Sequence, residues 1–134
     1  MYKQSFKMPF KTIILVCFSF LLYACGTPNG KMKQFGNLEI YYTKEIDVSY
    51  VDALGSYFQT HQLIAADKTQ SVKLTSNSEE FVLKMILNPE YDSIPAKMWK
   101  DIVFLERAID TTVFKNLNFA LEITDAYFNP LITK

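Results

Sequence analysis

Two cysteines, one histidine and a scatter of carboxylates and tyrosines are the side chains here with chemistry to offer. His61 has Ser56 and Asp52 upstream, the residue types of a relay in which a carboxylate orients an imidazole that activates a hydroxyl. No nucleophile motif surrounds Ser56, and nearness in sequence is not geometry. A histidine near a helix C-terminus also interacts favourably with the helix dipole, and His61 is read that way. Asn88, Glu90 and Asp92 alternate oxygen donors as calcium loops do. The glycine turn and distal Glu of an EF-hand are missing, so this stretch reads as a solvated loop. With one histidine, a zinc site would have to lean on carboxylates, which is uncommon. Glu79 and Glu80 sit where a hairpin tip is expected, and neighbouring carboxylates there face water. Tyr41, Tyr42, Tyr50, Tyr57 and Tyr91 offer either a stacking platform for sugars or peptides, or ordinary half-buried packing. No catalytic residue and no metal ligand is assigned.

The cysteines have a different context. Lys3, Lys7 and Lys11 precede an unbroken apolar run from Ile13 to Ala24. That length suits the hydrophobic part of an export signal and falls short of the roughly 20 residues a membrane-spanning helix needs. The run ends in Leu22-Tyr23-Ala24-Cys25, which resembles the lipobox of bacterial lipoproteins. The resemblance implies that residues 1–24 are a signal peptide cut between Ala24 and Cys25. It also implies that Cys25 carries a diacylglyceryl group on sulfur and an acyl chain such as palmitate on its amino group. Cys17 does not fit, because Val16 before it is too bulky. Two or more acyl chains anchor stably where one does so marginally, so the expected location is the bacterial cell envelope, held to membrane lipid through Cys25. No cofactor is expected beyond that lipid. Residues 25–35, rich in Gly, Pro and polar side chains, read as a flexible lipidated tether.

Removing the leader changes the charge balance. Three of the 14 Lys+Arg residues fall within the first 24 and none of the 14 Asp+Glu do, leaving 11 against 14, a net −3. A mildly acidic chain lacks the basic stripe that displaces counterions from phosphates, so nucleic acid is not an expected partner. The remaining 110 residues are enough for one small domain, expected over residues 36–134.

Periodicity supplies the elements. Leu38 to Thr43 alternates as a strand, and Asp47 can cap a helix carrying Val48, Val51, Leu54, Gly55 and Phe58 on one face. Gly55 inside that helix costs about 1 kcal/mol relative to Ala, which points to something packed close against it. Ser71–Thr75 and Glu80–Leu87 alternate on either side of Ser76-Asn77-Ser78-Glu79, whose composition predicts a turn and so a hairpin. Pro95 suits the start of a second helix, with Met98, Ile102, Leu105 and Ile109 inward, Trp99, Val103 and Ala108 widening that face, and an expected fraying near Thr111-Thr112. Leu117 to Ile123 alternates as a last strand, and Pro130 confines the tail to an edge strand or loop. This gives an α+β fold of order β-α-β-β-α-β. The order is that of the ferredoxin-like split motif: a four-stranded antiparallel sheet, first and third strands central, with two helices on one face. The body, over about residues 36–132, resembles small ferredoxin-like bacterial domains of unknown function, which implies no catalytic residues.

Strand parity then predicts a surface. With Leu38, Ile40, Leu83, Met85, Phe119 and Leu121 toward the helices, the other side of the sheet shows Tyr41, Val82 and Ile86, rimmed by Lys73, Lys84, Glu39 and Glu122. An uncovered apolar patch with a charged rim has the anatomy of a contact surface. The expected function is a membrane-anchored, non-enzymatic binding domain whose partner is another protein or a second copy. Two other expectations stay open. One is an enzyme using carboxylates or tyrosines. The other is a ligand sensor or enzyme inhibitor presenting Ala65–Gln70 or Asn88–Ser93.

Overall fold

The computed structural model describes residues 29–131; Ala24, Cys25 and the expected leader lie outside them. The first described element was not foreseen. Lys31–Phe35 forms a strand, β1, antiparallel to β2, Leu38–Tyr42. The two join through Gly36-Asn37, a glycine-containing two-residue loop of the hairpin kind, and Gly36 takes φ 60°, open to glycine without steric cost. The tether expected over 25–35 is therefore corrected: its last five residues are sheet, and the domain does not start at 36. Lys-Met-Lys-Gln-Phe hides its strand character because an exposed edge carries polar residues on both faces.

Asp47 caps α1, Val48–Thr60, as expected: its carboxylate accepts from Ser49 N–H at 2.8 Å. Val51, Leu54 and Phe58 are buried on its inner face. Gly55 is buried too, and a Cβ there would clash with the ring of Phe35 on β1. The helix interior takes a poor helix former so that the hairpin can lie close. Lys33 of β1 and Asp52 of α1 form an ion pair across the same contact.

Strands β3, Gln70–Ser76, and β4, Phe81–Ile86, form the expected hairpin. At its tip Asn77 Oδ1 accepts from the backbone N–H groups of Glu79 and Glu80, at 2.9 and 2.8 Å. Pro95 stands just before α2, Ala96–Ile109. Where fraying was expected, the chain widens into a π-helical turn, Asp110–Phe114, and ends at Lys115 with φ 53°. Thr111 Oγ1 donates to Arg107 C=O at 2.8 Å, a back-bond that competes with the regular helical ladder. The turn buries Val113 and Phe114, and Phe114 lies 5.6 Å from Tyr50, 4.9 Å from Phe81 and 4.6 Å from Phe119 between ring centroids. Strand β5, Phe119–Thr124, follows.

The fold is α+β, but its sheet is not the four-stranded antiparallel ferredoxin-like one. It has five strands in sequential order, with β2–β3 and β4–β5 parallel and β1–β2 and β3–β4 antiparallel. Each helix links neighbouring strands instead of leaving room for a third between them. The β1 hairpin explains this. A central first strand in the split motif needs both edges free, and β1 already occupies one edge of β2. Leu38, Ile40, Val72, Leu74 and Leu83 meet Val51, Leu54, Phe58, Ile109 and Phe114 in one core on the helix side.

The helices are unequally buried. In α2 only Ile109 is fully enclosed, while Trp99, Val103 and Phe104 are exposed, Phe104 by 75%. The π-helical turn pins this helix at its C-terminal end, and its other end stands away from the sheet.

Candidate interaction face

The strand registers place Tyr41, Lys73, Lys84 and Glu122 in one row across β2, β3, β4 and β5. Glu39, Ser71, Val82 and Ile86 share this face, opposite the core residues that alternate with them. The parity reading of this surface holds residue by residue. Its openness does not, because the C-terminal segment folds back over it. After β5, Asp125 accepts from the backbone N–H groups of Tyr127 and Asn129, at 2.8 and 2.9 Å, and from Asn129 Nδ2 at 3.1 Å. Pro130 bridges Thr124, and Leu131 N–H donates to Ile123 C=O. The loop so closed delivers Phe128 onto the sheet, where it is only 6% exposed.

Phe128 meets three side chains. Its ring centroid lies 6.1 Å from that of Tyr41 and 5.9 Å from Lys73 Nζ, and its carbonyl accepts from Lys84 Nζ at 3.4 Å. Lys73 and Lys84 are directly opposite across β3–β4, a placement in which like charges repel. Glu122 offsets one of them, 3.7 Å from Lys84. The ring face of Phe128 offers the other a cation–π contact. Beside them Tyr41 O–H and Ser71 O–H both donate to one oxygen of Glu39, each at 3.1 Å. Burial, then the bond to Glu39 and its charge, push the Tyr41 phenol above its usual range. Val82 and Ile86 are half-buried.

The other expected candidates do not assemble. Asp52 and Ser56 lie near each other on α1, but His61, nine residues beyond Asp52, falls on the opposite side of a helix of 3.6 residues per turn. Asp52 is paired with Lys33, and His61 caps the helix with its ring 4.2 Å from Tyr57. Asn88 Oδ1 accepts from Glu90 N–H at 3.1 Å and so closes its own turn. Among the described residues no group of His, Cys, Asp and Glu could hold a metal ion. The five tyrosines are dispersed: Tyr41 on the sheet face opposite the helices, Tyr42 at the end of β2 and Tyr50 and Tyr57 on α1 against the core, and Tyr91 in a loop. Loop Ala65–Gln70 is tied down, with Asn37 Nδ2 donating to the Ala65 and Ala66 carbonyls and Gln70 Oε1 accepting from Ala65 N–H.

The raised end of α2 leaves a cleft of about 240 Å³ between Met98, Ile102 and Leu105 above and Met85, Leu121 and Ile123 below. Asp101 and Asn88 are its polar lining. Sequence reading missed this cleft, since Met85, Met98, Ile102, Leu105 and Leu121 counted as core. It also missed Phe128, for which Asp125 and Asn129-Pro130 signal a turn but not its destination.

Comparison with protein-family models, with curated proteins and with solved structures gives no match.

Proposed function

We propose that the chain is a lipid-anchored protein of the bacterial cell envelope whose α+β domain works by contact with another protein through the sheet face opposite its helices. Leu22-Tyr23-Ala24-Cys25, set behind three lysines and an apolar run, carries this reading. Strand β1 starts at Lys31, six residues after Cys25, and a chain of that length reaches roughly 20 Å at full extension. In this reading the domain therefore works close to the membrane. Growth with an alkyne-bearing palmitate analogue should label the wild type and leave Cys25→Ser unlabelled; equal labelling overturns the anchor. In a crosslinking pull-down, Val82→Lys with Ile86→Lys should lose a partner that the wild type captures, and an unchanged partner set overturns the contact face.

The cleft under α2 favours a second reading, a sensor of a small apolar ligand. A dry cavity of about 150 Å³ accepts benzene, and this cleft is larger. Titration with indole should shift the methyl resonances of Met85, Met98 and Ile102. Unmoved methyls at millimolar indole would count decisively against it.

A further inference from the structure

We propose that Tyr41, Lys73 and Lys84 form a socket for an aromatic side chain presented by a partner polypeptide, and that Phe128 fills this socket in the free protein. The inference rests on the reading of this sheet face as a protein contact surface, and it names what that surface recognises.

The burial belongs to the socket and not to the segment. Phe128 is 6% exposed while Tyr127 beside it is 83% exposed, so one side chain of the loop is taken in and its neighbour is left in water. Recognition is two-part. The ring meets Lys73 and Tyr41, and the backbone carbonyl meets Lys84. A socket that reads an aromatic ring together with the carbonyl of the same residue suits a peptide segment better than an isolated small molecule.

The resident occupant is held at a cost. Phe128 has φ 62°, an unfavourable region for a bulky residue with a Cβ. A partner segment in a relaxed conformation makes the same contacts without that strain. The segment follows the last strand of the sheet, so it can lift away while all four strand pairings persist. Its hold is the Asp125 cap, the Thr124–Pro130 bridge and the Leu131 bond to Ile123. The charges facing the socket are Lys73 and Lys84, with Glu122 and Glu39 at its sides. Glu122 offsets Lys84, so the charge left beside the aromatic seat is that of Lys73, which favours an incoming segment carrying an acidic residue near its Phe or Tyr, as Asp125 stands near Phe128.

The probe is a fluorescein-labelled peptide of residues 124–131, titrated with the full chain and followed by anisotropy. A tethered segment competes at millimolar effective concentration, so Phe128→Ala should bind the probe at least about tenfold more tightly than the wild type does. The gain should vanish when the probe carries Ala in place of its Phe, and when Lys73→Ala is added to the Phe128→Ala chain. Binding no tighter than wild type, or equal binding of the probe lacking Phe, overturns the socket. Should Phe128→Ala lose its cooperative thermal transition, Asp125→Ala loosens the same loop and is judged by the same criterion. A tight probe with no partner captured in cells would sink the cellular reading and leave the socket standing; the reverse pair of results would sink the socket alone.

Discussion

At single positions the molecule trades local preference against contact, and Gly55 shows the trade most directly. Alanine is the better helix former by about 1 kcal/mol, so propensity alone says Gly55→Ala stabilises. The Phe35 ring occupies the space a Cβ would need, and overpacking a close contact costs typically 1–3 kcal/mol. Denaturant unfolding should therefore show Gly55→Ala less stable than wild type. Phe35→Leu should recover part of the loss in the double variant, because the two side chains share one space. Asp47 and Asp125 act through charge instead. The Ser49 hydroxyl and backbone N–H hold the Asp47 carboxyl below its usual range, and the Asn129 backbone N–H does the same for Asp125, helped by Tyr127 and the Asn129 side chain. A carboxyl whose folded pKa is depressed contributes fully above its unfolded value, about pH 4, and the contribution disappears as pH falls through the folded value. Thermal melts should show Tm dropping below about pH 4, with a shallower drop in Asp125→Asn. A Tm that stays flat from pH 5 to pH 2.5 would contradict the assignment.

Elements were legible to the degree that their own residues specify them. Alternation placed β2 to β5, Asp47 marked the start of α1, and parity sorted Tyr41, Val82 and Ile86 from Leu38, Ile40 and Leu83. Neighbourhood was not legible, because a period of two fixes which face a residue takes and says nothing of which strand lies beside it. The same gap hid the edge of the sheet. Strand β5 ends the strand order, and bare edges invite pairing with another chain. Here Glu106 of α2 reaches over and its Oε2 accepts from Leu121 N–H at 2.8 Å, while Leu131 N–H covers the Ile123 carbonyl. A helix side chain thus guards a strand. Glu106→Ala removes the acceptor from a half-buried amide, which costs about 1–3 kcal/mol. Glu106→Gln keeps a carbonyl in place and should cost less. Amide exchange at Leu121 should quicken in the Ala variant before that of Leu83 in the core does; unchanged exchange at Leu121 would show that the bond protects nothing.

On the scale of the whole molecule, the sheet is two β-α-β units joined by the β3–β4 hairpin, with β1 added at one edge and the tail laid over the open face. The two additions differ in what they hold. The tail covers a surface that has no helix, and its removal leaves the core layer closed. Strand β1 stands between solvent and the fully buried pair Leu38 and Ile40. It also supplies Phe35 to α1 over Gly55 and Lys33 to Asp52. Exposed ion pairs contribute little, so the ring and the strand pairing carry most of what β1 adds. In a domain this small only a minority of side chains are fully enclosed, and uncovering one edge of β2 removes a large share of a stability that is normally 5–15 kcal/mol. A chain begun at Asn29 should therefore melt cooperatively, whereas one begun at Gly36 should lack a cooperative transition or show a Tm lower by more than about 10 °C, given roughly 4–8 °C per kcal/mol for a domain of this size. Both chains lack residues 1–28, Cys25 among them, so the comparison isolates β1 from anything those residues do. Indistinguishable melting curves would mean that β1 decorates a domain already complete at residue 36, and that Gly55 meets Phe35 without needing it.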